Sequence, residues 1–140
     1  MSDKQTKVGM GVMVLNDKGE VLLQKRKGAH AEGQYALPGG HLEYMESFAD
    51  CAKREVREEC GMEIDDVQLL CLANEKENVP KHYINICVRA HWKSGEPHIM
   101  EPERTESLGW YSLDDLPSPL FASTARAITS YKTGQIFFDA

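Results

Sequence analysis

The stretch GHLEYMESFADCAKREVREECGM, residues 40–62, decides how this chain is read. From Ser47 onward its pattern is helical. Ser47 is an N-cap type, Asp50 stands three residues on in the acidic slot of a capping-box-like arrangement, and Gly61 is a C-terminal stop. Phe48, Cys51, Ala52 and Val56 recur at helical spacing and supply a buried stripe, so one helix is expected over residues 47–60. On that helix Glu55, Glu58 and Glu59 stand at i, i+3 and i+4 and project from one face. Like-charge pairs at these spacings cost about 0.2–0.5 kcal/mol each, and acids near a helix C-terminus lose roughly 0.3–1 kcal/mol against the macrodipole. In the plain structural reading, Arg54 pairs with Glu58 and the face is solvated. In the chemical reading, the three carboxylates and the carbonyl oxygens of the glycine turn one helix length upstream form an all-oxygen site. Hard divalent cations such as magnesium take such sites, with substrate phosphate oxygens as the remaining ligands.

Working outward, residues 7–15 and 20–24 read as two strands of a hairpin joined by Asn16, Asp17, Lys18 and Gly19. Leu37, Pro38, Gly39 and Gly40 mark a tight loop whose backbone is free to take unusual dihedrals. Beyond Gly61, residues 64–72 read as a strand. Residues 83–92 alternate, with Ile84, Ile86, Val88, Ala90 and Trp92 on one face and Tyr83, Asn85, Cys87, Arg89 and His91 on the other, which predicts a half-buried strand. A polar loop over residues 95–106 leads to a short strand at residues 108–111 and a closing helix over residues 118–131.

With 140 residues, 41% hydrophobic and 27% charged, the composition predicts one globular domain, residues 1–140, with a packed core. The longest apolar run, around residues 8–15, is too short to span a bilayer, and the start lacks a signal-peptide pattern. The expected location is therefore cytoplasmic, with no membrane partner. Cys51, Cys60, Cys71 and Cys87 fall at spacings of 9, 11 and 16 without a CxxC pair, which predicts reduced, mostly buried thiols. Net charge is −6, and no cationic cluster exceeds Lys25, Arg26 and Lys27, so a polynucleotide footprint is missing and any bound phosphate belongs to something small. GxSxG, HExxH and GxxxxGK[ST] are absent, which removes three competing hydrolase and kinase motifs.

Gly40, Glu46, Arg54, Glu55, Val56, Glu58, Glu59, Gly61 and Met62 fit the Nudix signature G-x5-E-x7-R-E-U-x-E-E-x-G-U, U being a bulky apolar residue, at every position. The chain resembles the Nudix superfamily. Outside the box, LLQKRKG (residues 22–28), GQYALPGGHLE (residues 33–43) and EPERTESLGW (residues 101–110) are similar to segments of the MutT-like nucleoside triphosphate diphosphatases. The resemblance implies an α/β (α+β) fold, a mixed sheet sandwiched between helices. It also implies magnesium as cofactor, with manganese able to substitute. By the same resemblance Glu55 and Glu59 are the principal metal ligands, and Glu58 is a further ligand or the base that orients water. The Gly40 or Gly39 carbonyl completes the shell, Arg54 holds the glutamates, and Glu46 pins the loop to the helix.

The resemblance also implies a further glutamate from a later loop; Glu101, Glu103 and Glu106 all lie in that region, and Glu103 is the one chosen. Arg26 resembles a strand-end arginine that meets phosphate, against the alternative of an exposed hairpin-end cation. His41 faces the nucleotide or is a hydrogen-bonded structural histidine. Leu37, with Tyr35 and Trp110, lines a base pocket or belongs to the core.

The implied reaction converts a nucleoside triphosphate, oxidised or modified purines included, to the monophosphate and pyrophosphate. Divalent cations neutralise the polyphosphate and acidify water, and a carboxylate takes the proton. The same box serves ADP-ribose, nucleotide sugars, dinucleoside polyphosphates and isoprenyl diphosphates, and Pro80, 18 residues beyond Met62, lies near where ADP-ribose hydrolases carry a proline. Non-catalytic nucleotide-binding modules of this kind usually have eroded box glutamates, and these are intact. A homodimer is the assembly that resemblance to the triphosphate branch implies.

Overall fold

Val12, Met13 and Val14, and again Val21, Leu22 and Leu23, are apolar at consecutive positions, so the strands that carry them need cover on both faces. In the computed structural model, which describes residues 4–28 and 30–139, all six are fully buried in strands β1 (Thr6–Leu15) and β2 (Val21–Arg26). Met10, Val12, Val14 and Leu22 pack against Cys51, Ala52 and Val56 of helix α1 (Phe48–Cys60). Met13, Val21 and Leu23 pack against Ala127 and Ile128 of helix α2 (Ala122–Thr133). The result is a sheet with one helix on each side, the layered α+β arrangement that the resemblance implies.

The remaining strands are β3 (Tyr35–Ala36), β4 (Gly39–His41), β5 (Glu63–Glu75), β6 (His82–Ser94), β7 (Thr105–Tyr111) and β8 (Phe137–Asp139). The sheet runs β3-β2-β1-β6-β5-β8, with β4 paired to β1 and β7 to β2. β1 is parallel to β6 and β5 to β8, and the other pairs are antiparallel. Among the described residues no helix is long and apolar enough to cross a membrane. All four cysteines are free and buried, as their spacing suggested.

The local signals of α1 are realised. The Ser47 Oγ accepts from the Asp50 N–H at 3.0 Å, and Gly61 takes the left-handed conformation at φ 68°. The turn after β1 is also as expected, Asn16 Oδ1 accepting from the backbone N–H groups of Lys18 and Glu20.

Four expectations are corrected. The first two strands pair only at Leu15 and Val21 and then diverge, because β1 gives its edges to β4 and β6 while β2 takes β3 and β7. Gly39 and Gly40 form strand β4 against β1, so their value lies in close approach and not in unusual dihedrals. The last helix begins at Ala122 and not at residue 118, because the Pro119 carbonyl accepts from the Tyr35 N–H and the Phe121 N–H donates to the Tyr35 carbonyl, committing that segment to β3. Finally, the half-buried β6 departs from its alternation at one position: Val88 and Ala90 sit under α1 as expected and Arg89 is exposed, but Cys87 is buried in the α2 layer. The short strands β3, β4 and β8 carry no pattern of their own.

Leu22 is fully buried against the α1 layer, so Leu22→Ala is expected to lower the unfolding free energy by about 2–5 kcal/mol, seen as a lower urea midpoint at unchanged slope.

Candidate active site

The helix α1 points its acidic face at β4, and the distance between them is set by a missing side chain. A Cβ on Gly40 would overlap the Glu55 carboxylate, and one on Gly39 would overlap the Met10 carbonyl. Only glycine at both positions lets the strand lie against β1 with the glutamates directly behind it.

Arg54 ties this strand to the helix. Its Nε and Nη2 donate to the two oxygens of Glu46 at 2.7 and 3.0 Å, and Nη2 also donates to the His41 carbonyl at 3.2 Å. Nη1 lies 3.3 Å from both Glu55 and Glu58 and 3.8 Å from Glu43. The guanidinium holds the Glu46 carboxyl far below the usual range, at about 2. The helix placed Arg54 and Glu58 in register for the i,i+4 pair anticipated from sequence, but the same cation also holds the loop.

Glu59 is fixed from the sheet side. Its Oε1 accepts from Gln24 Nε2 at 2.9 Å and from the Gly39 N–H at 3.3 Å, and Thr105 Oγ1 donates to Gln24 Oε1 at 3.3 Å. Gln24 and Thr105 are buried polar residues that sequence reasoning missed, although a glutamine inside VLLQKR was a signal that something polar needed a partner. Glu55 is only 7% exposed, and burial raises the pKa of both Glu55 and Glu59. Burial thus disfavours the charged form of two neighbouring acids, and Arg54 reaches only Glu55 of the two. That donor set, oxygen only and electrostatically unsatisfied, fits a hard divalent cation. Among the described residues no three acidic, histidine or cysteine side chains already enclose a metal position. Magnesium binding through one or two carboxylates plus water and phosphate oxygens does not require three.

Glu59, Gln24 and Thr105 line a cavity of about 370 Å³, whereas Glu46, Arg54 and Glu55 lie outside its lining. Of the residues singled out from sequence, Arg26, Leu37, Gly39, Gly40, His41 and Glu59 line it. Arg26 donates from Nε to the His30 carbonyl at 3.2 Å and lies 5.4 Å over the Phe121 ring. His41 stacks on Tyr83, with centroids 5.6 Å apart and Nε2 3.0 Å from the hydroxyl. Glu58 lies outside the lining, its side chain 55% exposed. Glu103 is exposed and outside the lining, whereas Glu101 lines the cavity and Glu106 pairs with Lys25 at 3.3 Å. Tyr35 and Trp110 pack into the two hydrophobic layers, Tyr35 edge-on to Tyr111. Cations absent from the sequence reading, Lys81 and Arg104, also reach the cavity. A second hollow of about 580 Å³ shares His30, Asn78, Lys81 and Tyr83 with the first and adds Lys7 and Pro80.

A family model described as the NUDIX domain matches residues 5–131. The chain is similar to the NAD-capped RNA hydrolase NudC of Stutzerimonas stutzeri, 34% identical over 116 residues, which are 82% of this chain and 41% of that protein. NudC of Pseudomonas putida KT2440 is 32% identical over 125 residues, 89% of this chain and 43% of its own. The chain thus spans about two-fifths of the length of these curated relatives. Among solved structures, a MutT NUDIX hydrolase from Burkholderia pseudomallei is 38% identical with a TM-score of 0.84, covering 90% of this chain and 98% of that one. The NUDIX domain of Shewanella oneidensis NrtR, complexed with ADP ribose, shares the fold at 18% identity and a TM-score of 0.76, over 92% of this chain and 88% of that one.

Gly40→Ala is expected to displace the Glu55 carboxylate and weaken magnesium binding roughly tenfold to a hundredfold by titration calorimetry. The Arg54–Glu46 pair gives a pH-dependent outcome. Because the Glu46 pKa is lowered from 4.5 to about 2, the stabilisation is present above pH 4.5 and is lost as pH falls through about 2. Glu46→Gln should therefore lower the melting temperature at pH 7, and the gap to the parent protein should close near pH 2.

Proposed function

Because the chain belongs to the Nudix family of hydrolases, we propose that it cleaves nucleoside triphosphates to the monophosphate and pyrophosphate. The observation that carries this reading is Glu59, half-buried beside the buried Glu55 and lining a cavity that also holds Arg26, Lys81 and Arg104. Cations and carboxylates on one small concavity suit a polyphosphate whose charge is met partly by the protein and partly by metal. A volume of about 370 Å³ suits a single small ligand.

Divalent ions are the usual cofactors of this family, and Glu55, Glu59 and the Gly40 carbonyl would hold one here. When bound, magnesium neutralises phosphate oxygens and acidifies water. The chain's own residues do the rest. Arg26 and Arg104 bind phosphate oxygens, and Gln24, itself held by Thr105, keeps the Glu59 carboxylate facing the cavity. Glu58, tethered by Arg54 yet open to solvent, accepts the proton of the attacking water at a carboxylate oxygen. Glu101, which lines the cavity, takes the role of the later-loop glutamate in preference to Glu103.

A second reading is favoured by the second hollow and by the names of the curated relatives. An NAD-type or other X-linked diphosphate would seat one half in each space, passing Tyr83 and Lys81.

Incubation with magnesium and a panel of canonical and oxidised nucleoside triphosphates, NAD, ADP-ribose, sugar nucleotides and geranyl diphosphate distinguishes these. Pyrophosphate release from triphosphates is expected, falling by about 10²–10⁴-fold in Glu58→Gln. Turnover of NAD or ADP-ribose without turnover of triphosphates would transfer the function to the second reading.

A further inference from the structure

The face of β6 that alternation marks as polar is, at one end, the floor of the cavity. Tyr83, Asn85 and Cys87 line it from β6, and Gly9 and Gly11 line it from β1, where Gly9 and Asn85 are partners in register. The carboxamide of Asn85 lies over the two places where β1 has no side chain. A Cβ on Gly9 would come 3.5 Å from Asn85 Oδ1, and one on Gly11 would come 4.0 Å from Nδ2. Among the described residues neither end of the amide has a hydrogen-bond partner, and the side chain is half-buried, so it keeps a donor and an acceptor turned toward the open space. Neither end is sealed from the cavity, so water can meet both until a ligand presents its own donor and acceptor.

The surroundings specify the shape of that partner. The His41 and Tyr83 rings, stacked at an interplanar angle of 28°, stand beside the pit, and Leu37 and Phe121 also line it. The wall is held in place by the Leu37 N–H donating to Thr124 Oγ1 at 3.0 Å and by the Phe121 N–H donating to the Tyr35 carbonyl at 2.8 Å. Flat apolar and aromatic surfaces accept a planar ring, and a carboxamide lies in one plane with adjacent donor and acceptor, the complement of a lactam or amidine edge.

We propose that Asn85 is the base-reading residue of this site: its carboxamide, above the glycine floor of Gly9 and Gly11, hydrogen-bonds the edge of a planar nitrogenous base whose phosphates lie toward Glu55 and Glu59. The inference rests on the nucleotide reading of the cavity and adds the residue that chooses among bases.

The test compares the parent protein with Asn85→Leu, Asn85→Asp and Gly9→Ala across triphosphates of guanine, adenine, cytosine and uracil. Calorimetric binding of the four nucleoside monophosphates is measured in parallel. Removing the amide is expected to raise KM for the best base roughly tenfold while acting little on kcat, and to flatten the ranking of bases. Asn85→Asp, which only accepts, should reorder the ranking in favour of guanine, whose edge presents two adjacent donors. Gly9→Ala should weaken binding of purines more than pyrimidines by filling the floor. An equal loss for every base, or no change in ranking in any variant, overturns the assignment. If the parent protein turns over no triphosphate, the proposed function fails, and the calorimetric ranking still decides Asn85: a base preference that disappears in Asn85→Leu upholds it, and the same preference in both proteins, or none in either, rejects it.

Discussion

One guanidinium holds the site together. Arg54 stands among Glu43, Glu46, Glu55 and Glu58, and its planar fork meets Glu46 with two parallel bonds while still reaching the His41 carbonyl. A lysine in its place would offer one point charge and no fixed angle between the loop and the helix. Arg54 and Glu46 are 22% and 12% exposed at the side chain, so their attraction is screened less than that of a surface pair. Because the cation bonds to the backbone of β4 as well as to the acids of α1, the strand and the carboxylates behind it are tied into one unit.

That unit is assembled against local preference. Three acids on the last turns of a helix oppose the macrodipole and one another, and two of them are pressed against a strand that has given up its side chains to admit them. The sheet offsets part of the cost through Gln24 of β2, which donates to Glu59 and is itself held by Thr105 of β7. The two hydrophobic layers supply the rest, with Val56, Cys60 and Met62 buried around the acidic face. A helix with this composition would be a poor choice for stability alone. Its retention of charge where packing is tight is the usual physical mark of a functional surface.

The parts of this arrangement that were legible in the sequence are those governed by neighbours along the chain. Ser47 and Gly61 bound α1 through capping, and the spacing of Glu55, Glu58 and Glu59 follows from 3.6 residues per turn. The glycine pair was visible, but its reason was not, since steric approach to Glu55 and Met10 is a property of tertiary packing. The same holds for β3 and for the start of α2. Tyr35 and the residues at 119–121 are separated by more than eighty positions and have a conformation only because they bond to each other. Glu101 and Glu103 differ by two residues in a loop without periodicity, so only the turn that brings the Glu101 carbonyl onto the N–H groups of Arg104 and Thr105 separates their environments.

Alternation along β6 was read as core against solvent, and that reading was incomplete in an instructive way. On this interior strand the polar face is only partly open: Cys87 is buried, Tyr83, Asn85 and His91 are half-buried and Arg89 is exposed. A polar position there turns to a protein partner, to water or to a cavity. Arg89 takes the first, with Gln68 Oε1 at 2.8 Å, and Tyr83 takes the same course through His41. Asn85 opens onto the cavity instead, opposite two glycines whose own absence of side chains would otherwise weaken β1 with nothing gained. The box on α1 is fixed by the reaction and is the same whatever base is carried. Discrimination therefore has to come from positions such as these, polar by pattern and interior by topology.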